Sequence, residues 1–149
     1  MWRASGIHRM LFQAMRLLRP PPDGYPLAEM PNEAVLADFV QDSVGKVVVA
    51  FVIPDQEAGY GTAAVQDGKK FLGILHRVPL GDPNCVRLAV IGASRAPRLM
   101  QRSEVLALPT TLIFWKKDVV ETVVGLKPRE LSVKVRFLLR REGLNVFAV

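Results

Sequence analysis

The chain has 149 residues, half of them apolar, a formal net charge of +6 and one cysteine. That length suits one domain with a short extension, and a single cysteine excludes an internal disulfide framework. No apolar run reaches the roughly 18–20 residues that a membrane-spanning helix needs, so no integral membrane segment is expected.

The charge is uneven. Residues 1–22 contain Arg3, Arg9, Arg16 and Arg19 and none of the 14 acids. The rest of the chain is close to neutral, so the basic balance does not by itself mark a nucleic-acid binder. At the helical period Ile7, Met10, Leu11, Ala14, Met15, Leu17 and Leu18 fall on one side, and His8, Arg9, Gln13, Arg16 and Arg19 on the other. Arg3 and Phe12 break the pattern. An Arg-rich, acid-free amphipathic segment is the composition of a mitochondrial transit peptide. The same pattern also suits a helix that docks on a partner or lies on a membrane surface. Pro20, Pro21 and Pro22 end this segment and open a Pro-rich linker over residues 23–31.

Asn32 is placed to cap a helix starting at Glu33, whose Val35, Leu36, Phe39 and Val40 share one face. Val47 to Ile53 is apolar throughout and rich in β-branched residues, the signature of a strand buried on both faces. A loop over residues 54–61 leads to a second helix, capped by Thr62 and carrying Val65, Phe71, Leu72 and Leu75 inward. Gly68 and Gly73 weaken that helix. A turn-rich break over residues 79–84 precedes a strand over residues 86–91 and a short helix over residues 94–101. Two strands flank the charged turn at Lys116, Lys117 and Asp118. Pro128 opens a last helix with Leu131, Val135, Leu138 and Leu139 inward, and Gly143 ends it.

The stretch 105–125 carries the most specific pattern. It has an apolar residue, Pro109, Thr110, an apolar strand, a charged turn, a second strand and Gly125. It resembles the C-terminal half of a thioredoxin domain, and the order of elements over residues 31–142 matches that family. The resemblance implies an α/β fold: a thioredoxin-like three-layer α/β/α sandwich with a central mixed sheet of four to five strands. A weak first edge strand would fall near Leu27, and Pro109 would be cis. The expected division is an N-terminal amphipathic tail (1–22), a linker (23–31), the thioredoxin-like domain (32–142) and a C-terminal tail (143–149).

The same resemblance removes the family's chemistry. With Phe51 laid on the family's strand phenylalanine, Gln56 stands where the first cysteine of Cys-x-x-Cys belongs. Glu57 and Ala58 take the spacer positions, and Gly59 stands on the second cysteine. Dithiol exchange needs a low-pKa thiolate and a resolving thiol, and neither Gln nor Gly forms one. Ala50 takes the place of the family's buried acid. Cys85, just before a strand, reads as a small buried apolar residue, with a reactive or intermolecular thiol as the alternative. His8 and His76 stand alone, without metal-ligand spacing, so no metal or cofactor is expected. Asp55 and Glu57 read as solvated loop acids. The pairs Lys69-Lys70, Lys116-Lys117 and Arg140-Arg141 read as solvated surface.

What the resemblance leaves is recognition. A peptide or partner groove would be made by Gln56, Glu57, Gly59, Leu108, Pro109 and Thr110, with the Leu108 backbone free to pair with an extended segment. The competing reading is that the turn alone requires the proline. The expected function is a non-catalytic, thioredoxin-like mitochondrial protein of the matrix or inner-membrane surface. It would bind protein subunits of a larger assembly such as the ribosome or a respiratory complex. A second reading is single-cysteine redox or chaperone-like work through Cys85. A third is RNA contact through the basic tail.

Overall fold

In the computed structural model, residues 24–147 are described. The segment 1–22, with its targeting and docking readings, lies outside them. Val47–Ile53 is the central strand, as its uninterrupted apolar sequence demands: six of its seven side chains are buried. The chain order is β1 (Leu27–Met30), α1 (Glu33–Gln41), β2 (Val47–Ile53), α2 (Thr62–Ile74), β3 (Val86–Gly92), α3 (Pro97–Arg102), β4 (Thr110–Trp115), β5 (Asp118–Val124) and α4 (Pro128–Arg141). The sheet runs β1-β3-β2-β4-β5. β1 and β2 flank β3 in parallel, while β4 is antiparallel to both β2 and β5.

Alternation along β2 builds two cores at once. Val47, Val49 and Phe51 face a cluster with Phe71 of α2 and Leu131, Val135, Leu138 and Leu139 of α4. Val48, Ala50 and Val52 face a second cluster with Leu36 and Val40 of α1 and Leu99 of α3. The result is the expected three-layer sandwich, helices on both faces of a mixed five-stranded sheet. Phe51 and Phe71 meet edge to face, with ring centroids 5.8 Å apart.

A side-chain cap starts α1. Val35 N–H donates to Asn32 Oδ1 at 2.9 Å, so the Asn32 cap forms as expected. The expected Thr62 cap does not. Gly61 is the capping residue, its carbonyl accepts from Val65 N–H at 3.1 Å, and Thr62 is already helical. Val35, placed on the inner face by spacing, is instead exposed at the rim of α1. Gly68 is buried because α2 crosses close to the end of β2: a Cβ there would lie 3.2 Å from Pro54 Cδ.

The domain takes in residues on both sides of the expected span 32–142. Strand β1 falls inside the segment read as linker, and Tyr25 before it is buried. Tyr25 O–H donates to Gly81 O at 2.6 Å and accepts from Leu80 N–H at 2.9 Å. Beyond α4, Val146 is buried in the cluster under that helix, and Asn145 bonds Asp82 through both backbone and side chain.

Candidate functional site

The carboxyl end of β2 leads into a loop whose organiser is Asp55. Its Oδ1 accepts from Ala58 N–H at 2.8 Å. Its Oδ2 accepts from Ser94 O–H at 2.6 Å and from Ser94 N–H at 3.1 Å. Partial burial pushes the carboxyl up. The bonds from Ser94 and Ala58, with Arg95 nearby, outweigh burial and hold it below its ordinary value. Glu57 pairs with Arg95 at 3.4 Å on the surface. Asp55 thus ties the loop after β2 to the 3-10 turn after β3 (Ala93–Arg95). Gly92 makes room for it: a Cβ on Gly92 would collide with Asp55 Oδ2.

Gln56, Glu57 and Gly59 are exposed on this loop, and Gly59 has φ +84°, a conformation that favours glycine. None of them stands at a helix N-terminus, because α2 starts only at Thr62. The site therefore lacks both the thiols and the helix dipole that lowers a thiol pKa.

Pro109 follows a cis peptide bond, as expected. It lies at the same end of the sheet, because Thr110 pairs with Val52 near the end of β2. Pro109 O accepts from Gly125 N–H at 2.8 Å, which locks the start of β4 to the end of β5. Leu108 and Tyr60 are half-buried against the same cluster under this end. Among the described residues, the Leu108 N–H and C=O make no hydrogen bond. Thr110 does not line a surface: it is 1% exposed, and its hydroxyl donates to Ala107 O at 2.5 Å. Its role is to shape the turn.

Spacing gave no hint of the exposed apolar side chains here. Leu106 is 96% exposed, and Val124 and Leu126 flank Gly125 with large exposed areas. Leu106 and Leu126 are apolar residues at loop positions, and Val124 is the last residue of β5. Asp55 was also missed, since its main partner lies 39 residues away in sequence.

Cys85 lies elsewhere. Its carbonyl accepts from Val47 N–H at 2.9 Å, at the opposite end of β2. Seven strand residues separate the two ends by roughly 20 Å. Cys85 is half-buried and packs against the core, less enclosed than the buried position expected for it. Among the described residues no cluster of His, Cys, Asp and Glu could hold a metal ion. No helix among them is long and apolar enough to cross a membrane.

No protein-family model matches the sequence, and no curated protein matches it. Solved structures do. A thioredoxin from Malassezia sympodialis is similar at 19% identity and TM-score 0.56, covering 74% of this chain and 90% of that one. Thioredoxin from Trypanosoma brucei brucei gives 17% and 0.57, over 77% and 92% of the two chains. Reduced Schistosoma mansoni thioredoxin gives 13% and 0.58, over 74% and 96%. The fold is thioredoxin-like. At these identities the likeness extends to the fold alone, and a thioredoxin-like frame with one cysteine is what the chain has.

Proposed function

We propose that this thioredoxin-like protein acts by binding other proteins and not by dithiol exchange. The observation that carries the reading is the distance between its one thiol and the family's reactive corner: Cys85 is at one end of β2, and Gln56 and Gly59 are at the other. Exchange within one domain needs two thiols within bonding reach. What remains at that corner is a recognition surface, with a free Leu108 backbone and exposed Leu106, Val124 and Leu126 around it. An extended segment added along Leu108 would gain backbone hydrogen bonds, and the apolar side chains would select its residues.

The partner class is a subunit of a larger mitochondrial assembly, for which the protein serves as an accessory subunit or assembly factor. The motive is the acid-free, Arg-rich segment 1–22. Sedimentation of the tagged full chain from a mild organelle lysate tests this. Migration with a large assembly is expected. Migration only as a free 16.5 kDa chain overturns the subunit reading. Insulin reduction or glutathione exchange that disappears on Cys85→Ser would replace the binding reading with a thiol one.

A further inference from the structure

The opposite end of the sheet carries a second surface that the Leu108 corner does not use. A cavity of about 410 Å³ opens where α1 ends, β2 begins and β4 turns into β5. Val40, Val48 and Phe114 make it apolar, and Val44, 85% exposed, adds an apolar rim. Among the described residues that line it, the charged side chains are Lys46, Lys116 and Lys117. Among the described residues none of the three is in ion-pair contact with a carboxylate. The hollow continues between α1 and α3 through a neighbouring one of about 260 Å³, which shares Val40, Gln41, Phe114 and Lys117 with it and adds Arg102 and Glu33. Glu33 is engaged, since its carboxylate accepts from the N–H groups of Arg98 and Leu99 at the start of α3.

The turn chemistry sets this place apart. Lys116 and Lys117 form the two-residue hairpin loop between Trp115 and Asp118, with φ of 50° and 73°. A loop with both residues left-handed favours Asn-Gly, because a Cβ crowds the backbone there. Two lysines are a poor choice for the fold. They do place two ammonium groups on the edge of an apolar hollow.

We infer that this groove is a docking site for an acidic amphipathic segment of a partner protein. The apolar floor takes one face of the segment, and Lys46, Lys116, Lys117 and Arg102 meet carboxylates on its flanks. Charge complementarity selects this occupant over the chain's own residues 1–22, which carry four arginines and no acid. Val48 pairs with Phe114 and Val52 with Thr110, so the groove and the Leu108 corner sit at opposite ends of one strand pair. Failure of either surface leaves the other standing.

Trp115 lines the cavity and reports on it. In the full chain carrying Trp2→Phe, Trp115 is the one remaining tryptophan. The probe is a synthetic Leu/Glu amphipathic helix of about four turns. The comparison probes are the same helix with Lys for Glu, a peptide of residues 1–22, and phosphatidylglycerol vesicles. The Glu peptide is expected to change Trp115 emission saturably, with affinity falling as salt rises, while the other three do not. Lys46→Glu with Lys117→Glu weakens binding about tenfold, the scale of two surface ion pairs reversed. Lys116→Asn with Lys117→Gly separates folding from binding: the thermal midpoint rises and the affinity falls. The inference is overturned if the Glu peptide fails to bind, if the Lys peptide or residues 1–22 bind as well, if only vesicles bind, or if the Asn-Gly variant keeps full affinity.

Discussion

Val47 and Cys85 share a 2.9 Å backbone hydrogen bond at the amino end of β2. That bond fixes the one thiol at the far end of the strand from the Gln56 loop. Cys85→Ser is therefore expected to leave partner binding unchanged and to shift stability by about 1 kcal/mol or less, the scale of a conservative change at a half-buried site. Parallel pull-downs and denaturant titrations check both statements.

Placing cysteines at positions 56 and 59 should not by itself introduce dithiol chemistry. Cys at positions 56 and 59 would lie in a loop ahead of α2, without its dipole and beside the Asp55 carboxylate. Position 59 also demands a left-handed residue. The Gln56→Cys, Gly59→Cys double variant should show a position-56 thiol that alkylates with a pKa near the ordinary value of about 8.5, and insulin reduction near background. An alkylation midpoint well below pH 7.5 would show that the loop activates a thiol after all.

Asp55 is expected to matter more than a loop acid usually does. Asp55→Asn weakens charge-assisted bonds to Ser94 and Ala58 and should cost about 2 kcal/mol in denaturant unfolding at neutral pH. The folded-state pKa of Asp55 is lowered, so its ionised form stabilises the fold above the ordinary carboxylate range, and that contribution is lost as pH falls through the folded pKa. The stability gap between wild type and Asp55→Asn should narrow below about pH 4. Gly92→Ala should cost about 1–3 kcal/mol with Asp55 present and clearly less beside Asp55→Ser, because the two side chains compete for one space.

Tyr25 gives the alkaline counterpart. Burial pushes its hydroxyl from 10.0 to about 12, against the bond from Leu80 N–H and with help from the Asp82 charge. The folded state holds the proton more tightly than the unfolded chain. The stabilisation is therefore complete below pH 10 and is lost between about 10 and 12. Tyr25→Phe leaves Gly81 O and Leu80 N–H without their partner and should cost about 2–3 kcal/mol at pH 7. The gap to wild type should shrink above pH 10.

The readable parts of the chain were those with dense local signals. Val47–Ile53 announced a central strand by composition, and Leu131, Val135, Leu138 and Leu139 announced the buried face of α4 by spacing; all four are buried. Pro109, Thr110 and Gly125 carried the fold. Distant pairings were silent. The role of Asp55 depends on Ser94, and Val146 packs inward behind a helix stop with no periodic neighbour to mark it. Thr110 looked like a surface contact because its hydroxyl partner, Ala107 O, is backbone. Lys116 and Lys117 read as ordinary solvated charge, since backbone conformation and the hollow beside them are properties of the folded hairpin.

The most direct test of binding without thiol exchange is recovery of partners with the tagged full chain at mild salt, comparing wild type, Cys85→Ser and Leu108→Pro. Leu108→Pro removes the free N–H at the corner, and circular dichroism checks that the fold is intact. The same partners are expected for wild type and Cys85→Ser, with a clear loss for folded Leu108→Pro. Partners lost with Cys85→Ser, or fully kept by folded Leu108→Pro, would overturn binding without thiol exchange.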